Sequence, residues 1–163
     1  MRRSNGGSSA PLGLSATSLP GTAAGIPRPH ALGYSMLFGG SPTPVETTEL
    51  NPSWGGAAGE MISTTADLTR FYSALMRGKL LPQAEMDEMD EMDEMVPAAG
   101  GPGLGIGSVK LSCGVTVWGH TGGIHGSETA ALTTRDGRHA AVFNTNADWA
   151  EGERPLAEAE FCR

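Results

Sequence analysis

Trp118-Gly119-His120-Thr121-Gly122-Gly123 closes a run, Val115 to Trp118, in which β-branched and aromatic residues alternate. That period of two marks a strand. Two further candidate strands follow, Thr129 to Thr134 and Ala140 to Asn144, joined by Arg135-Asp136-Gly137-Arg138. Asp-Gly between such runs is a hairpin signal, because tight turns need residues that accept positive φ. Taken by itself, the His-Thr-Gly stretch also describes a solvent-facing strand end with a glycine bulge.

Upstream the period changes to that of a helix. Thr64 is placed to cap it, with Asp67 three residues later in a capping-box arrangement. Leu68, Phe71, Tyr72, Leu75 and Met76 share one face, and Gly78 supplies a left-handed stop. The spacing predicts a helix over 65–77. A second helix is expected after Pro82, through the acidic repeat Glu85 to Glu94. Its methionines, 86, 89, 92 and 95, recur every three residues and drift around a 3.6-residue helix. The repeat therefore reads as a duplication tolerated at a solvated helix end rather than as a methionine face for a metal or a partner.

Residues 1–60 carry Pro11, Pro20, Pro27, Pro29, Pro42, Pro44 and Pro52 with glycine pairs between them, so they read as an extended segment laid over something else. Residues 1–10 are expected to be disordered, and residues 11–163 to form one partial domain. The tail from Pro155 to Cys162 reads as the first turns of a helix.

Composition narrows the functional classes. Of 18 acidic residues, seven fall in the repeat, and the other 11 balance the 11 basic ones, so the net charge of -7 has a local source. No basic stripe of a nucleic-acid binder is present. No stretch approaches the ~20 apolar residues of a membrane span. The start Met1-Arg2-Arg3 lacks the apolar region of a signal peptide. His120 and His125 are close in sequence, but the glycines around them and the lack of a completing cysteine or carboxylate argue against zinc. No metal and no cofactor are expected. His30 reads as a turn residue and His139 as a surface strand residue. Two cysteines, Cys113 and Cys162, fit one disulfide or two separate thiols equally well.

The order of short motifs resembles a known family. The landmarks are Pro29-His30-Ala31-x-Gly33-Tyr34, Asn51-Pro52-Ser53-Trp54, Ala58-Gly59-x-Met61-Ile62-Ser63-Thr64, Gly103-Leu104-Gly105-Ile106-Gly107 and Ser112-Cys113-Gly114 running into Trp118-Gly119-His120-Thr121-Gly122. From Pro11 to Cys162 they resemble the C-terminal half of the serine D-alanyl-D-alanine carboxypeptidases related to class C β-lactamases. The resemblance implies an α+β fold, an antiparallel sheet flanked by helices with part of an all-α lobe. It also implies an acyl-enzyme mechanism in which a serine nucleophile is served by lysine and tyrosine.

His120, Thr121 and Gly122 match the third motif of that family. By that match the strand backbone pairs with the substrate amide, Thr121 bonds a substrate carboxylate, and His120 supplies a donor near the proton relay. Gly122 leaves room for the substrate, and Trp54, Thr121 and Gly123 are expected to border it. The first two motifs are missing. The only lysines, Lys79 and Lys110, are preceded at the third position by Met76 and Gly107, so no Ser-x-x-Lys occurs. Tyr34 is followed by Ser35-Met36 and Tyr72 by Ser73-Ala74, so no Tyr-x-Asn occurs. Two further departures are Ser127, where family members often carry Tyr, and the lack of a basic side chain near Gly107.

The resemblance further implies a Cys113–Cys162 bridge, a secreted or extracytoplasmic location, a monomer at full length, and a peptidoglycan peptide or β-lactam-like small molecule as partner. Two readings follow. One is an inactive fragment of a carboxypeptidase-like serine hydrolase, whose sheet wants strands that this sequence does not contain. The other is a non-catalytic protein that keeps the cleft wall for binding. An esterase or D-aminopeptidase on the same scaffold shares every motif present.

Overall fold

Proline and glycine punctuation keeps most of the first sixty residues out of regular structure. The computed structural model describes residues 2–3, 11–94, 105–150 and 152–163. Its first part holds two-residue strands only: β1 (Arg2–Arg3), β2 (Ser18–Leu19), β3 (Tyr34–Ser35) and β4 (Val45–Glu46). They form the antiparallel pairs β1–β2 and β3–β4. Two 3₁₀ turns, Leu37–Gly39 and Pro52–Gly55, and the single turn α1 (Gly56–Gly59) complete this strap. Of the stretch expected to be disordered, only Arg2–Arg3 lie among the described residues, paired with Ser18–Leu19.

Regular elements then follow in the expected order. They are α2 (Thr65–Met76), α3 (Gln83–Glu94), β5 (Gly107–Lys110), β6 (Thr116–Ile124), β7 (Ser127–Thr133), β8 (Ala140–Thr145) and α4 (Glu153–Phe161). The last four strands make one antiparallel sheet in the order β5-β6-β7-β8. The α+β class expected from the sequence is the class observed.

Strand alternation sorts the core into two layers. On one face Val117, Leu132 and Ala141 pack with Leu111, Val115, Ala157, Phe161 and Cys162, so this side is covered by α4. On the other, Trp118 meets Phe71, Tyr72, Leu75 and Met76 of α2 with Met86 and Met89 of α3. Those two methionines are 2% and 7% exposed. The acidic repeat is therefore not a purely solvated helix end. The three-residue spacing sets Met86 and Met89 on the one side of α3 that lies back against α2, and the side chains further along the repeat fall outside the description.

Helix α2 ends where its sequence says it should. Gly78 takes φ 64, its N–H donates to Leu75 O, and Lys79 N–H donates to Ala74 O. That pair of bonds is the Schellman closure. At the other end Thr64 Oγ1 accepts from Asp67 N–H at 3.2 Å. The reciprocal half of the expected capping box is absent, because the Asp67 carboxylate faces the strap instead. It accepts from Ala16 N–H at 2.9 Å and Thr17 Oγ1 at 2.8 Å, and pairs with Arg70. Asp67 is 1% exposed, so these partners are what make its charge tolerable there.

The β7–β8 hairpin turns through Thr134 to His139. Asp136 accepts from Thr134 Oγ1 and Arg138 N–H, and Gly137 sits at φ 64. Arg77 Nε donates to Gly137 O at 3.0 Å, which docks the turn on α2. His139 belongs to this turn rather than to a strand, and its Nε2 meets Glu160 of α4 at 2.9 Å. Cys113, in the β5–β6 turn, is bonded to Cys162 at the end of α4, with Cα atoms 5.8 Å apart.

Two stability measurements follow. Asp67→Ala strands the part-buried Ala16 amide and the buried Thr17 hydroxyl, and should lower stability by about 3 kcal/mol. Equilibrium denaturation reads the loss, and limited proteolysis should show new cuts in the strap between residues 11 and 63. Replacing both cysteines by alanine should cost about 4 kcal/mol by chain entropy, seen as a lower denaturant midpoint than that of the oxidised protein.

Candidate active-site strand

Strand β6 is paired on one side over all but its first two residues and on the other over its first four. β7 follows it from Trp118↔Thr133 to Ile124↔Ser127. β5 reaches only from Lys110↔Thr116 to Gly107↔Gly119. From His120 onward the second edge of β6 has no strand partner among the described residues. His120, Thr121, Gly122 and Gly123 are all exposed there. An extended ligand backbone can add to such an edge through main-chain hydrogen bonds.

The glycines of this segment have different tasks. A Cβ at Gly119 would run into the carbonyl of Ala131, so β6 and β7 approach closely only because it is absent. A Cβ at Gly122 would meet nothing within 4 Å, so that surface is open. A Cβ at Gly123 would strike the carboxylate of its cross-strand partner Glu128. Alternation puts His120 on the Trp118 face, and Thr121 and Gly123 on the Val117 face. Neither the His120 nor the Thr121 side chain has a hydrogen-bond partner among the described residues, so both are available to a ligand. Trp54 lies on a different segment, the 3₁₀ turn capped by Asn51, and is 71% exposed. No ring contact or hydrogen bond ties it to β6 among the described residues.

Sequence reasoning missed the network that fixes the tip of this hairpin. His125 and Gly126 form a two-residue turn, with Gly126 at φ 78 packed on the backbone of Gly33 and Tyr34. Ser35 Oγ lies 2.9 Å from His125 Nδ1, and Asp148 Oδ2 lies 3.5 Å from the same nitrogen. Ser35 is fully buried, and serine and aspartate share one ring nitrogen. That excludes a relay through the far side of the ring, so Ser35 is no nucleophile. The Ser35 hydroxyl holds the Asp148 carboxyl below its ordinary value, against burial, with help from the Met36 and Gly126 amides and His125. Phe38 packs against His125 with ring centroids 4.5 Å apart and the planes tilted by 46°. Glu128 moves the other way: burial, then the charges of Glu153 and Asp148, push its carboxyl up. Among the described residues no three His, Cys, Asp or Glu side chains gather as metal ligands.

An antiparallel sheet with a half-free His-Thr-Gly strand, helices on both faces and a stapled C-terminal helix is the β-lactamase-like arrangement that the motif order implies. Residues 9–161 match the Beta-lactamase family, and the chain belongs to it. A D-stereospecific amidohydrolase from Streptomyces sp. superposes with a TM-score of 0.88 at 48% identity, over 95% of this chain and 46% of its own. The D-amino acid amidase of Ochrobactrum anthropi SV3, complexed with L-phenylalanine amide, gives 0.67 at 28% identity, over 86% of this chain and 42% of its own. A penicillin binding protein from Bacillus halodurans, at 0.66 and 19% identity over 93% of this chain and 46% of its own, shares the fold. The chain spans less than half the length of each of these.

The lowered Asp148 carboxyl carries a pH signature. A group depressed in the folded state stabilises above its unfolded value, 3.8, and that contribution is lost as pH falls through the folded one. Asp148→Asn should therefore flatten the acid side of the stability curve, read as urea midpoints from neutral pH downward. It should also loosen the hairpin tip, read as faster amide exchange at His125 and Gly126.

Proposed function

We propose that this chain forms the substrate-strand wall of a serine hydrolase that cleaves amide bonds next to D-configured residues. The observation that carries the reading is the exposed, half-free edge His120–Gly123, in a chain 48% identical over 95% of its length to a D-stereospecific amidohydrolase. In this reading the substrate backbone adds to β6 in β-strand fashion. Thr121 Oγ1 donates to an oxygen of the bound substrate, and the His120 ring donates near the reacting groups. A serine oxygen attacks the amide carbonyl, the C–N bond breaks, and the leaving nitrogen takes a proton from the relay. Water then hydrolyses the ester and returns the serine. These 163 residues contain neither Ser-x-x-Lys nor Tyr-x-Asn, so nucleophile and relay are assigned to another segment of the working enzyme.

The narrower D-alanyl-D-alanine carboxypeptidase reading, with a peptidoglycan peptide as substrate, is less well supported. It asks for a cation to meet a terminal carboxylate. Gly107, paired with Gly119 beside His120, has no side chain to supply one. An amide without that carboxylate suits the strand better. The Cys113–Cys162 bridge supports an oxidising location outside the cytoplasm.

The test compares the chain alone with a polypeptide that joins it to the remaining part of the Streptomyces amidohydrolase. The chain alone should show no mass increase with penicillin and no ammonia release from phenylalanine amide, because binding groups without a nucleophile form no covalent intermediate. The joined protein should form the adduct and hydrolyse D- faster than L-phenylalanine amide. Thr121→Val should lower its kcat/KM by on the order of 10-fold, the loss of about one hydrogen bond. An adduct on the chain alone, or no activity in the joined protein, overturns the reading.

A further inference from the structure

We infer that Glu128 is the residue that recognises a free α-ammonium group on the substrate, so that the site selects unblocked D-amino acid amides over N-acylated ones. The inference rests on the amide-hydrolase reading above and names the substrate class of the same strand. Glu128 is on β7, but its side chain does not stay there. A Cβ built on Gly123 of β6 would come within 2.7 Å of the Glu128 carboxylate carbon. The carboxylate therefore lies across β6, over the residue that follows His120-Thr121-Gly122. A ligand added to the free edge of β6 would run about 4.8 Å from that strand, within reach of a carboxylate that already leans over it. By alternation Thr121 and Gly123 share this face, so the Thr121 hydroxyl and the Glu128 carboxylate flank two residues of the same edge, about 7 Å along the strand. One suits the reacting amide and the other a cation beside it.

The surroundings of Glu128 separate it from the structural carboxylates of this fold. Asp67 has Arg70, Ala16 and Thr17; Asp148 has Met36, Gly126 and His125; Glu158 has Ser112 and Arg154. The Glu128 carboxylate has no hydrogen-bond or ion-pair partner among the described residues, while the backbone oxygen of Glu128 accepts from Asn144 Nδ2 at 3.1 Å. Glu128 is half-buried, and after burial the charges that push its carboxyl up, Glu153 and Asp148, are of its own sign. A half-buried carboxylate beside like charges is unfavourable unless a cation completes it. An ammonium group brings three N–H donors and the missing charge. Gly123 is then required for more than substrate access, since any side chain there would push the carboxylate off the strand.

The experiment uses the joined polypeptide with D-phenylalanine amide and N-acetyl-D-phenylalanine amide. The readout is the ratio of kcat/KM for the free amine to that for the acetylated substrate. Wild type should favour the free amine. Glu128→Gln, which keeps the shape and removes the charge, should lower the ratio by on the order of 10- to 100-fold, the range for a charge-assisted hydrogen bond. Glu128→Asp, with the charge retained on a shorter arm, should fall between. Thermal midpoints of the variants, matched to wild type, show that the ratio reports recognition rather than folding. A ratio unchanged by Glu128→Gln, or a wild type that prefers the acetylated substrate, overturns the assignment and leaves the amide-hydrolase reading standing. A wild type that hydrolyses neither substrate overturns both.

Discussion

The arrangement depends on one place where two backbones touch. At Gly119 the main chain of β6 lies so close to the carbonyl of Ala131 that no Cβ fits between them. On one side of this point Val117 and Trp118 enter the two layers of the core. On the other side β5 has ended, and the strand runs on with one edge uncovered. The same strand is thus structural in its first half and available in its second. The contact at Gly119 is the boundary between the two roles.

Two carboxylates do for the strap what hydrophobic burial does for the sheet. Residues 11–60 form only two-residue strands and single turns, none long enough to build a layer of its own. Asp67 reaches from α2 to Ala16 and Thr17, and Asp148 reaches from beyond β8 to Met36 and Gly126. Between them the two short acidic side chains accept from three strap or turn amides, those of Ala16, Met36 and Gly126. Such amides would otherwise be left unsatisfied against the core. The second of these anchors also fixes the turn next to the exposed strand. Leu37 and Phe38 beside it sit at φ 50 and φ 55, a left-handed backbone that costs energy for residues with side chains. Hydrogen bonds from Leu37 N–H to Ser35 and Met36 N–H to Asp148 hold it in place.

What was legible in the sequence was local. The alternation at 115–118, the Asp-Gly turn, the Thr64 cap and the Gly78 stop each depend on neighbours a few residues apart, and each is found where it was expected. The Cys113–Cys162 bridge was legible only through the family resemblance, since two cysteines by themselves favour nothing. The contacts that escaped join residues far apart. Ser35 meets His125 across 90 positions and Met36 meets Asp148 across 112, and no periodicity records such pairs. Asp67 was recognised as a capping residue, but burial against the strap outweighed the local bond. Met86 and Met89 were misread for a similar reason: a three-residue repeat looks unpatterned until the helix has a neighbour that covers one side of it. Glu128 gave no signal because its meaning lies in the register that sets it opposite Gly123.

The Cys113–Cys162 bridge closes a covalent ring of chain around the whole exposed strand and the two strands that follow it. A cut in the backbone anywhere between residues 113 and 162, the exposed 134–139 turn included, opens that ring without dividing the polypeptide. Both new ends stay tethered, and the hydrogen bonds between β6, β7 and β8 keep their register. A sheet built this way tolerates proteolytic nicking in its own hairpins, a property of use wherever proteases share its surroundings. The strap and the helices before residue 113 have no such protection, so the durable part of the molecule is the part that carries the exposed strand.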